Sequence, residues 1–91
     1  MAEENGAQAY FLRMDDGCFM PTAHVGGAWN VSEQHVAPAI GLLVHAVEAD
    51  HAARRADRLQ IARLSYDIWG VIPMDAFEIA IVVLRPGRTI E

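Results

Sequence analysis

The chain has 91 residues, a net charge of −5 and 53% hydrophobic residues. That length allows one small domain, whose limited buried fraction leaves modest stability of its own. Every basic residue is arginine and no basic stripe is present, which argues against a nucleic-acid surface. The single Cys18 precludes an intrachain disulfide and fits a reducing compartment. Neither a signal pattern nor a run long enough to span a bilayer occurs, so a cytoplasmic protein is expected.

Residues 1–7 read as a polar leader. A strand is expected from Ala9 to Met14, with Tyr10, Leu12 and Met14 on one face. Asp15-Asp16-Gly17 supplies turn chemistry, since glycine accepts positive φ and aspartate closes turns with its side chain. Cys18 to Met20 returns antiparallel, and Pro21 ends the strand by removing a ladder donor. Thr22 to Ala28 is irregular, with Gly26-Gly27 as a change of direction; a phosphate-cradling role lacks the further glycines and the basic residue it needs.

Ser32 has N-cap chemistry, but a helix starting there would carry Pro38 in its second turn, where the ring meets the carbonyl four residues back. Proline suits the first helical position, so the helix is expected over Pro38–Ala52, with Ser32 to His35 as a loop or a separate turn. Ile40, Leu43, Val44 and Val47 make an apolar stripe, while Ala39, Leu42, Ala46 and Ala49 keep the opposite side small and apolar. A helix apolar nearly all round is a buried one.

Two β-rich runs follow. Leu59 to Trp69 alternates Ala62, Leu64, Tyr66 and Ile68 with Arg63, Ser65 and Asp67. Phe77 to Leu84 is apolar on both faces, as in a strand covered on both sides. Val71 to Asp75, with Pro73, connects them. Arg85-Pro86-Gly87-Arg88 forms a tight turn, and Thr89-Ile90-Glu91 begins what looks like another strand. An unpaired edge of this kind is normally covered, so the sequence reads as one domain over residues 1–91 whose sheet is completed elsewhere.

Several ordered segments carry a resemblance: Pro21-Thr22, Gly27-Ala28-Trp29, His35-Val36-Ala37-Pro38, Arg63-Leu64-Ser65-Tyr66-Asp67, Ile72-Pro73 and Arg85-Pro86-Gly87-Arg88. In this order and spacing they resemble the N-terminal part of acyl-CoA thioesterases of the hot-dog superfamily, in the thioesterase-II-like double hot-dog branch. The resemblance implies an α+β hot-dog fold, a long antiparallel sheet wrapped around one central helix, incomplete in this chain and completed by a partner segment or chain. It implies hydrolysis of a fatty acyl-CoA to free acid and CoA, in fatty acid metabolism, with no cofactor. The partners implied are acyl-CoA and a second hot-dog domain or subunit, in a homo- or hetero-oligomer, with no nucleic acid and no membrane. Amides at the start of the central helix would polarise the thioester carbonyl, because free N–H groups and the helix dipole favour a developing oxyanion. Val36-Ala37 stands where the family pattern has Gly-Gly, and the main catalytic polar residues of that branch lie in a second domain. A non-catalytic acyl-CoA-binding or structural hot-dog subunit is the alternative.

The candidate catalytic residues are His35 and Asn30, and the candidate substrate contacts are Trp29, Val36 and Ala37. His35 could touch the thioester oxygen or satisfy local backbone groups. Asn30 could hold the attacking water or stabilise a turn. Glu33 and Glu48 are further carboxylates open to a base role or to plain solvation. His45 and His51 lie six positions apart, which is not a helical metal pair, and no metal site is expected.

Overall fold

The computed structural model describes residues 9–15, 17–27 and 30–91. The hairpin forms where the sequence places it. Strand β1 spans Phe11–Asp15 and β2 spans Cys18–Pro21, paired antiparallel with Phe11 opposite Pro21 and Arg13 opposite Phe19. The register shifts between Arg13 and Asp15, so Met14 is the extra residue of a bulge. Gly17 takes φ +80 in the turn, and its carbonyl accepts the Ile79 N–H at 2.7 Å. The glycine therefore shapes the hairpin and seats the strand beside it.

β3, Phe77–Glu78, pairs antiparallel with β2, giving the order β1-β2-β3. Phe77 brings the aromatic content of the sheet together. Its ring meets Phe11 edge-on at 5.6 Å and stacks on Phe19 at 6.1 Å, offset geometries that aromatic pairs prefer. Phe19 and Val25 are the buried hydrophobic side chains, joined by buried Pro21.

Thr22 explains why the chain turns after β2. It is fully buried, and its hydroxyl lies 2.7 Å from the Ala9 carbonyl and 3.0 Å from that of Tyr10, to which it can donate, while accepting the His24 N–H at 3.3 Å. Its own N–H bonds to Tyr10 O at 2.9 Å, which carries the ladder one step beyond Pro21. The same side chain caps a 3-10 turn over Ala23–Val25.

Residues 32–35 form no helix or ladder strand, a turn at Ser32 leading into isolated bridges at Glu33 and Gln34. They bond to two neighbouring segments. On one side Gly27 N–H reaches Glu33 O at 2.7 Å and His35 N–H reaches Val25 O at 2.6 Å. On the other, Gln34 N–H reaches Ile72 O at 2.7 Å and Met74 N–H reaches Ser32 O at 3.2 Å. The Gln34 side chain adds a bond from Nε2 to Pro73 O at 3.0 Å and is itself buried.

The helix α1 then runs over Val36–Arg54, two residues longer at each end than the sequence suggests. Pro38 thus sits at the third helical position. It is tolerated there because first-turn amides lack an intrahelical acceptor, and the carbonyl its ring would strike, that of Gln34, lies outside the helix. No residue of α1 is buried, contrary to the all-round cover expected for it. The physical reason lies in the two runs meant to supply that cover. Among the described residues Phe77 to Leu84 joins a ladder at Phe77 and Glu78, with one further bond from Ile79, and Leu59 to Trp69 has no ladder partner. No helix is long and apolar enough to cross a membrane.

Two substitutions test this account. Gly17→Ala should cost about 1–2 kcal/mol, the penalty of forcing a Cβ into left-handed backbone, and its Cβ would also sit 3.1 Å from Ile79 O. Thr22→Val should cost about 1 kcal/mol by removing a hydroxyl that makes part-buried bonds to three backbone groups. Urea denaturation followed by circular dichroism measures both.

Candidate functional site at the helix entry

The clamp on residues 32–35 fixes where α1 begins, and the hairpin lies alongside that first turn. Between them runs an open groove of about 780 Å³, within the usual range for small-molecule sites. Tyr10, Phe11 and Phe19 wall it from the hairpin, and Pro38, Gly41 and Leu42 from the helix. Arg13, His24, His35 and His45 supply polar groups at its edges. The Arg13 guanidinium lies 5.1 Å from the centroid of Phe19, a cation–π contact that holds it against the aromatic wall. No carboxylate lines the groove among the described residues.

The structure brings some of the candidate residues together and leaves others apart. His35 is the N-cap of α1 and makes no side-chain capping bond. It lines the groove together with Ala37. The N–H groups of Val36 and Ala37 make no hydrogen bond among the described residues, so the first turn presents two free donors at the positive end of the helix dipole. Val36 itself does not line the groove.

Asn30 does not join this set. Its Oδ1 accepts from Ser32 N at 2.9 Å and Ser32 Oγ at 2.7 Å, and its backbone carbonyl accepts from Glu33 N at 3.1 Å. It closes a turn, as short amide side chains commonly do. Trp29 lies outside the described residues. Glu33 is held in the clamp, bridged to Pro73.

Glu48 faces a second hollow of about 740 Å³ between the far half of α1 and the chain that follows it. The helix ends there in a charge network. Arg54 bonds Asp50 and Glu91, each at 2.7 Å, and Arg55 reaches Asp57 at 2.9 Å and Glu91 at 3.2 Å. Arg55 also donates to the carbonyls of Gly87 and Arg88, both at 2.7 Å, which pins the Arg85–Arg88 turn to the helix end. Gly87 is required in that turn, because a Cβ there would collide with the Ile90 carbonyl. His51 Nε2 accepts the Leu59 N–H at 2.9 Å and fixes the path of the chain leaving the helix.

The groove walls contributed by the hairpin were not legible as site residues. Tyr10, Arg13 and Phe19 carry ordinary strand chemistry, and only the pairing of distant segments places them opposite the helix. Gln34 was likewise silent in sequence, although it makes both a backbone and a side-chain bond in the clamp. Its Oε1 is buried without a hydrogen-bond partner among the described residues. No group of three or more His, Cys, Asp or Glu side chains among the described residues could hold a metal ion. In comparisons with known proteins, no family model, no curated protein and no solved structure matches the chain.

The network at the helix end has a defined pH sign. The hydrogen bond from Arg54 holds the Glu91 carboxyl below its ordinary range, and that from Arg55 does the same for Asp57. A carboxylate with a lowered folded-state value contributes stability above its unfolded value and loses it as pH falls through the folded one. The turn over Gly87 and Arg88 should therefore stay docked above the ordinary carboxylate range and loosen only as pH falls below it. Amide chemical shifts of those two residues, titrated in the parent and in Arg54→Gln, report it; the variant should loosen at the higher pH.

Proposed function

We propose that this chain is half of an acyl-CoA thioesterase-like assembly of the hot-dog type, hydrolysing a fatty acyl-CoA to free acid and CoA. A second hot-dog domain or subunit supplies the remaining strands and most of the catalytic groups. The single observation that supports this reading is the apolar groove lined by His35 and Ala37 at the helix entry, where the amides of Val36 and Ala37 make no hydrogen bond among the described residues. In this reading the acyl chain lies against Tyr10, Phe11, Phe19 and Leu42, and its thioester carbonyl points to the first turn of α1. Water adds to the carbonyl carbon, the amides hold the resulting oxyanion, and the carbon–sulfur bond breaks as CoA leaves and takes a proton. Such preorganised donors are among the largest contributions to acyl-transfer catalysis. A cytoplasmic setting fits the acyl-CoA substrate and the single cysteine.

One observation favours the alternative, an acyl-CoA-binding or structural subunit without turnover. The described lining of the groove holds histidines but no carboxylate, and Asn30 is occupied by Ser32. A histidine can act as a general base, but no carboxylate in the described lining stands ready to orient one.

Acyl-CoAs of several chain lengths, assayed with the chain and whatever co-purifies with it, separate the two readings. Turnover that falls at least tenfold in His35→Ala supports hydrolysis at this groove. Binding without turnover of any length selects the alternative, and neither binding nor turnover removes both. Gly41→Leu adds a second test. A Cβ at Gly41 meets nothing within 4 Å, and leucine is a far better helix former than glycine. The variant should keep or gain helix stability while losing about tenfold in acyl-CoA affinity, because its side chain fills the groove.

A further inference from the structure

The chain that leaves α1 forms one wall of the hollow at the far half of the helix. Leu59, Ile61 and Leu64 share its lining with Val47 and Ala52 of the helix. One hydrogen bond ties the start of that wall down: the Leu59 N–H donates to His51 Nε2 at 2.9 Å. From Gln60 to Val71 no residue makes a further hydrogen bond among the described residues. The wall therefore hangs on the His51 ring.

The direction of this bond fixes the state of that ring. A backbone N–H can only donate, so Nε2 presents its lone pair and the ring proton sits on Nδ1. A protonated imidazole donates from both nitrogens and accepts at neither. One added proton thus does more than weaken the contact, because it sets two N–H groups against each other. Imidazoles ordinarily exchange this proton between about pH 5 and 8.

The surroundings decide whether the helix end goes with the bond. The charged groups around the ring are the carboxylates of Glu48, Asp57 and Glu91 and the guanidiniums of Arg54, Arg58 and Arg63, with His45 in the same lining. Arg54 is already bonded to Asp50 and Glu91, and Arg55 to Asp57 and Glu91. A positive ring also suits the helix, because His51 lies in its last turn, where cations meet the negative end of the dipole. The His51 carbonyl accepts the Arg55 N–H at 3.0 Å, a bond that a proton on the ring leaves intact. Protonation removes the fastening of the exit chain and spares the helix.

We infer that His51 is a pH-sensitive latch, which holds the chain at Leu59 against the end of α1 when neutral and releases it when protonated. The docked state is present above the imidazole range and is lost as pH falls through it. Release opens the hollow along Leu59 to Leu64. It precedes the loosening of the turn over Gly87 and Arg88, whose carboxylates take up protons only at lower pH. Acid undoes this end of the molecule in two separate steps. The inference rests on the direction of one hydrogen bond and not on the thioester reading, so failure of the acyl-CoA assay leaves it standing.

The test reads the bond itself by NMR of the isotope-labelled chain. An N–H···N bond carries a scalar coupling between its two nitrogens, here Leu59 N and His51 Nε2. That coupling should be present at about pH 8 and absent at about pH 5, while the helical circular dichroism stays unchanged. His51→Gln supplies a carbonyl acceptor that does not titrate in this range, so its Leu59 amide should hold one chemical shift until the carboxylates protonate. His51→Ala should show the released shift at every pH. The other three histidines remain in both variants, so a Leu59 response owed to them would persist. A coupling that survives at about pH 5, a glutamine variant whose Leu59 amide moves as the parent's does, or loss of the helix together with the coupling would each overturn the proposal.

Discussion

The hydrogen bonds that trap residues 32–35 between two neighbours are the constraint on which the rest of the molecule depends. Four short segments meet there: the end of the 3-10 turn, the approach to the helix, the Ile72–Met74 connection and the first turn of α1. Backbone groups facing both ways are paired, at distances of 2.6 to 3.2 Å. Because two of these bonds reach about forty positions along the chain and two tie back to the segment before it, the helix cannot swing about its entry without breaking several of them. The groove owes its shape to this arrangement, since one wall belongs to the hairpin and the other to the helix.

How much of this was legible in the sequence follows from the range of each interaction. The hairpin was readable because its information is local: Gly17 needs positive φ, and Pro21 stops a ladder. The helix was readable in kind, and its start was misplaced for a specific reason. Proline is favoured at the first helical position, but the rest of the first turn also lacks intrahelical acceptors and tolerates it, so Pro38 alone does not mark the start. The clamp was not readable, because Ser32, Glu33 and Gln34 have no strand character of their own and act through backbone bonds to distant residues. His35 and Ala37 were placed at the helix entry by sequence and do line the groove, whereas Asn30, chosen by the same logic, is spent on its own turn.

The apolar run from Leu59 to Trp69 belongs to neither group. Its alternation has the period of a strand, but strand pairing is a property of two segments and sequence describes only one. Periodicity states which face is apolar; it is silent on where the partner lies. The same holds for Phe77 to Leu84, of which the described residues pair only the beginning. Apolar surface on both sides of a strand and all round a helix is then a measure of contact still to be made.

This incompleteness bears on chemistry as well as on stability. A helix N-terminus exposed to water offers little to an oxyanion, because solvent competes for the same amides and screens the dipole. The same amides become effective only in a site from which water is excluded. In this chain the groove is open, and its described walls come from the hairpin, the 3-10 turn and the entry half of the helix. Any partner that covered the free side of α1 would raise the local field at Val36 and Ala37 without altering either residue. The electrostatics of the groove therefore cannot be separated from whatever closes it, whichever side chains a partner adds.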